Sequence, residues 1–218
     1  MADRPIIFSA PMVQALLAGR KTQTRRILKP QPHLDRMGNF CAPDRKGKVW
    51  NWGQNLDGSP CVRNFIKQQV RFAVGDRLYV RENIIKTPAG IAYAADGGEH
   101  YGAGGKLKIT PCIHMPRTAS RMTLIVTEVR VERLQDISEK DAKAEGIRLM
   151  TCLERGRDGY TGTGDDFADT RVEAFRNLWA GINGVESWEA NPWVVAVSFE
   201  VVNRNIDDVP VPTAEVAA

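Results

Sequence analysis

The sequence predicts an α+β protein: a small, mostly antiparallel barrel decorated by short helices and long loop insertions. Two observations lead there. Apolar residues alternate over several short stretches, as strands require, while helical stripes are few and brief. Within residues 122–134 the alternation changes phase, with Leu124 and Val126 in one register and Val129 and Val131 in the other. Such a slip marks a bulge near Thr127 and Glu128, or a bend where a strand closes a barrel.

Composition narrows the class. A chain of 218 residues with 43% hydrophobic and 26% charged side chains can bury one sizeable core. A single domain over residues 1–202 is expected, with a disordered tail over 203–218, where Pro, Val and Ala follow without period. No apolar run approaches a membrane span, and the first residues lack the long apolar core of a signal peptide, so a cytoplasmic location is expected. The net charge of +4 is compatible with an anionic or nucleotide partner without demanding one. Cys41, Cys61, Cys112 and Cys152 are scattered, as are His33, His100 and His114, and zinc-ligand spacing is absent. No metal or cofactor is expected.

Taken in order, residues 6–8 make a short apolar strand. Ser9 can cap a helix with Pro11 in its first turn and Met12, Ala15 and Leu16 on its buried stripe. Gly19 ends that helix in the left-handed conformation. Residues 22–28 are then extended until Pro30 and Pro32 break them. Residues 30–70 lack period and suit an irregular insertion. Trp50 and Trp52 within it make either a packed lid or a loop pinned by two aromatics. Residues 74–76 form a turn into a strand with Leu78 and Val80 on one face and Tyr79 and Arg81 on the other. Another strand spans residues 91–95. Ser138 to Asp141 resembles a capping box, opening a short helix that Gly146 stops. Residues 151–168 are expected as a loop. Val172, Phe175, Leu178 and Trp179 mark a core-facing helix, residues 188–192 a turn, and Trp193, Val195, Val197, Phe199 and Val201 an alternating closing strand.

One stretch is not explained as scaffold. Gly19-Arg20-Lys21-Thr22-Gln23-Thr24-Arg25-Arg26 combines a glycine stop, a lysine, two hydroxyls and clustered fixed positive charge. Crowded like charge lowers the proton affinity of an amine, whereas arginine keeps its proton. Glu145, in the last turn of its helix, meets the negative end of the helix dipole. That makes it either a functional acid or a solvated helix-end glutamate.

The Gly19–Arg25 segment, the Val74–Glu82 turn and strand, the helix over residues 138–146 and the closing strand to Phe199 together resemble the ASCH domain of the PUA-like barrel superfamily. Residues 8–12, 114–121 and 188–193 are similar to longer ASCH proteins carried by phages. The insertions near 30–70, 84–121 and 148–187 are largely absent from minimal members of the family. One bacterial branch hydrolyses the amide of N4-acetylcytidine. The resemblance implies Lys21 as base, Thr24 as nucleophile and Glu145 as acid, with a nucleoside substrate and no cofactor. Arg25, Arg26, Arg81 and Glu82 are candidate substrate contacts, Glu82 equally a salt-bridge partner.

The chemistry is coherent. A threonine hydroxyl needs a base to attack an amide, and an unprotonated lysine can serve, as in Ser–Lys hydrolases. Glu145 serves best if protonated when the exocyclic amine departs. Residues three apart face opposite sides of a regular strand, so the chain must turn between Lys21 and Thr24. The alternative is an RNA-binding or RNA-processing module, with arginines on phosphates and Trp50 and Trp52 stacking on bases.

Overall fold

The computed structural model describes residues 2–44, 46–55, 61–97, 101–102, 105–152, 157–162 and 166–210. The protein is α+β, with mostly antiparallel sheets and few helices. The chain divides into two compact units. The first takes Met1–Thr22, Val74–Thr127 and Phe199–Ala218, and the second takes Gln23–Ala73 and Glu128–Ser198. Among the described residues no helix is long and apolar enough to cross a membrane.

In the first unit Asp3–Ile7 lies parallel to Arg77–Arg81, with Asp3 opposite Arg77. Arg77–Arg81 is also antiparallel to the start of Thr123–Arg133, with Tyr79 opposite Thr123. Leu78 and Val80 are buried while Tyr79 and Arg81 are half-buried, the alternation the sequence predicts. A smaller sheet joins Ile109–Thr110, Ile84–Thr87 and Gly90–Tyr93 over Met115 and Ala119.

The helix Ala10–Leu17 buries Val13, Ala15 and Leu16. Its end is a Schellman motif: Gly19 takes φ 67°, the Arg20 N–H donates to the Ala15 carbonyl at 2.9 Å and the Gly19 N–H to the Leu16 carbonyl at 2.9 Å. Glycine is needed at this position because a Cβ is strained at that φ.

The tail departs from expectation. Residues 203–210 are ordered, not disordered: Ile206–Asp208 is a helical turn with Ile206 buried. Arg77 donates to the Ile206 and Val209 carbonyls, and Asn205 Nδ2 donates to the carbonyls of Arg117, Thr118 and Ser120. Side chain-to-backbone bonds order this segment, and they carry no periodic signal. Residues 211–218 of the expected tail lie outside the described residues.

In the second unit Gln23–Ile27 pairs antiparallel with residues 194–198, Thr24 opposite Val197. Trp193–Val202 buries both faces over its first half, not one. Leu134, Ile137, Phe175, Trp179, Trp188 and Val194 form one cluster, and Phe40 meets Trp193 edge-on at 5.0 Å.

Residues 30–70, expected as irregular, hold the strands His33–Leu34, Phe40–Pro43 and Val49–Asn51 and the helix Arg63–Gln69. Strands of two to four residues are too short for alternation to register. Trp52 packs at 6.0 Å from Phe65, whereas Trp50 is 45% exposed. The loop expected at 151–168 contains Arg157–Thr161, paired with Arg148–Cys152. The phase slip is present: Thr127 and Glu128 are consecutive exposed residues between buried Val126 and buried Val131.

Candidate active site

Each proposed catalytic residue is positioned by the local structure its neighbours encode. Lys21 follows the Schellman end of Ala10–Leu17, and its own N–H also donates to the Ala15 carbonyl at 3.1 Å. The side chain is fully buried, 0% exposed, with Nζ 5.8 Å from the centroid of the Phe8 ring. The strand starts at Gln23, so Lys21 precedes it, and the turn lies upstream at residues 18–19. Thr24 is buried at the second position of that strand.

Glu145 ends the helix Glu139–Ala144. The Ser138 hydroxyl caps its start, accepting from the Asp141 N–H at 3.1 Å. Its close repeats the first helix: Gly146 takes φ 103°, its N–H donates to the Lys143 carbonyl at 3.0 Å and the Ile147 N–H donates to the Ala142 carbonyl at 3.4 Å. Glu145 is 4% exposed, which removes the solvated helix-end interpretation.

Within the second unit the structure brings Arg25 and Glu145 together. Arg25 Nη1 donates to Glu145 Oε1 at 3.2 Å and to Gln23 Oε1 at 2.6 Å. Its Nε and Nη2 donate to Glu132 Oε1 at 3.0 and 2.7 Å, and Nη2 lies 3.5 Å from Asp141 Oδ2. The guanidinium, wholly buried, also lies 5.9 Å from the Phe175 ring centroid. Arg25 therefore spends its donors on the protein.

Arg26, half-buried, follows on the opposite face of the strand, which it shares with Thr24. Burial pushes its guanidinium below the ordinary value, and attraction to Glu145 opposes that. Arg130 donates to Asp141 at 2.9 Å and lies 3.7 Å from Glu132. Glu132 and Asp141 thus each meet both Arg25 and Arg130, and Glu145 meets Arg25.

In the first unit Arg81 Nη2 donates to the Ile113 carbonyl. Arg121 takes both oxygens of Glu82 and stacks 4.0 Å from the Tyr93 ring centroid. Glu82 stands where its salt-bridge alternative places it.

Sequence reasoning missed Glu132, Asp141, Arg130 and Arg121. For three of them a signal existed: Asp141 stands four residues before Glu145, hence on one helix face, and Arg130 and Glu132 alternate on one strand face. Among the described residues no cluster of His, Cys, Asp or Glu suits a metal ion. No family model, curated protein or solved structure matches this chain.

Proposed function

We propose that the protein is an amidohydrolase that removes the N4-acyl group of N4-acetylcytidine and related acylated cytosine nucleosides, releasing cytidine and a carboxylate. The Thr24 hydroxyl attacks the amide carbonyl as Lys21 takes its proton. The C–N bond then breaks as Glu145 gives a proton to the exocyclic nitrogen. Lys21 gives the Thr24 proton up to solvent, then deprotonates the water that attacks the acyl-threonine ester and returns the proton to the departing Thr24 oxygen, while Glu145 is reprotonated from solvent.

The observation that carries this reading is the complete burial of Lys21. A buried ammonium is costly, and a lysine used as a base gains from the same burial. Thr24 and Glu145 are also buried; Glu145 is bonded to Arg25 on one face of the strand, and its attraction to Arg26 reaches the face that Thr24 shares.

Arg26 serves as the principal substrate cation in this reading, with Arg81 second. Arg25 and Glu82 hold the scaffold instead. The reading carries a PUA-like barrel of the ASCH type and a cytoplasmic location. The strand-rich α+β fold and the phase slip in Thr123–Arg133 support the barrel.

The test is incubation of the purified protein with N4-acetylcytidine and N4-benzoylcytidine, with cytidine quantified chromatographically. Turnover is expected, and Thr24→Ala, Lys21→Ala and Glu145→Ala each remove it while the protein stays folded. No cytidine from either substrate overturns the proposal.

A second reading, RNA binding, draws on exposed Trp50, whose ring centroid lies 4.3 Å from Lys48 Nζ. A base can stack on such a ring beside a cation. It requires RNA affinity that falls steeply with salt and weakens in Trp50→Ala.

A further inference from the structure

We propose that Arg25 is a positioning residue for this reaction, acting through Glu145 and not by touching the substrate. The inference rests on the amidohydrolase reading above.

Arg25 is anchored independently of Glu145. Two of its nitrogens donate to Glu132, and the third donates to Gln23 at 2.6 Å. The bond to Glu145, at 3.2 Å, is the longest of its hydrogen bonds. A guanidinium held this way stays in place whether or not Glu145 carries a proton. One N–H thus fixes the carboxyl group's orientation without depending on it.

The helix makes such a fixture necessary. Asp141 and Glu145 sit four residues apart, where like charges repel, and Glu145 stands at the helix end whose dipole disfavours negative charge. Arg25 meets both groups, and its bond to Glu145 Oε1 is one that a protonated carboxyl also accepts, so it fixes where the acid stands at the helix end. Asp141 is secured from outside by Ser138 and Arg130, so the pair cannot relax by swinging Asp141 away. Lysine cannot replace this fork, since an ammonium is a point charge without the planar spread of donors.

The experiment separates leaving-group protonation from everything else. Hydrolysis of N4-acetylcytidine needs a proton on the departing amine. Hydrolysis of 4-nitrophenyl acetate by Thr24 needs none, because 4-nitrophenolate leaves unassisted. Arg25→Gln is expected to lower kcat for the amide by about tenfold or more, with KM nearly unchanged. Its ester hydrolysis is expected to stay within about twofold of the parent protein. Glu145→Gln is expected to show the same split more strongly, and Arg25→Lys to recover little.

Equal losses on amide and ester would show a merely structural role. A rise in KM for the nucleoside alone would show a substrate contact. Either result overturns the inference while leaving the amidohydrolase reading intact. Absence of amide turnover in the parent protein overturns both. If Arg25→Gln does not fold, Glu132→Gln loosens the anchor without altering a partner of Glu145. It is expected to give the same split, and amide and ester losses in step would overturn the inference.

Discussion

Arg121 closes both carboxylate oxygens of Glu82, Nε to Oε1 at 2.8 Å and Nη2 to Oε2 at 2.9 Å. Glu82 is 1% exposed, so this bidentate pair satisfies a carboxylate that water does not reach. Removing the arginine strands the charge. Arg121→Ala is expected to destabilise the protein by about 3 kcal/mol, read as a shift in the urea unfolding midpoint. Arg121→Lys keeps the charge but not the fork, and is expected to cost less. A shift below about 1 kcal/mol for the alanine variant would show that Glu82 is held by something else.

Lys21→Met separates catalysis from folding. Methionine matches the length of the lysine stem and adds no charge to a fully buried position. The variant is expected to unfold within about 2 kcal/mol of the parent and to release no cytidine. Cytidine release at the parent rate would remove Lys21 from the base role.

Asp141 gives a pH prediction. Burial raises its carboxyl, but hydrogen bonds from Ser138, Arg130 and Gln23 and the attraction of Arg130 outweigh that and bring it from 3.8 down to about 2. A folded-state value below the unfolded one stabilises the protein above pH 3.8, and that contribution disappears as pH falls through about 2. Urea midpoints measured across that window are expected to fall, and Asp141→Asn to flatten the fall. An unchanged slope in Asp141→Asn would show that other carboxyl groups carry it.

Ser138→Ala tests whether the helix end that holds Glu145 depends on its beginning. The lost cap on the Asp141 N–H is expected to cost about 1 kcal/mol in thermal or urea unfolding. Because Ser138 also donates to Asp141 at 2.8 Å, amide hydrolysis is expected to fall with it. Unchanged stability and turnover would show that Arg25 alone fixes the helix.

Gly19→Ala tests the exit that delivers Lys21. No atom lies within 4 Å of the added Cβ, so the cost is that of φ 67° alone, about 1 kcal/mol. Gly19→Asn, which tolerates that conformation, is expected to cost less. Equal costs would show that backbone strain is not the cause.

Local signals along the chain carried the helix stops. Gly19 and Gly146, the Ser138 cap, the slip at Thr127 and Glu128 and the alternation of Leu78 and Val80 depend on a residue and its near neighbours, and all were legible. So were the candidates Lys21, Thr24 and Glu145 as residue types in a pattern. The short strands of residues 33–51 were not, because two to four residues hold at most two repeats of the two-residue strand period, too few to stand out. Nor was the ordered segment at 203–210, whose bonds to Arg77 and Arg117 come from more than eighty residues away.

Tertiary structure alone decided what each charged group does. The sequence lists Arg25 beside Arg26 as equal cations, yet strand pairing turns one toward Glu132, Asp141 and Glu145 and the other to the opposite face. A charge's role is set by what surrounds it within a few ångströms, and those neighbours lie 107, 116 and 120 residues along the chain from Arg25.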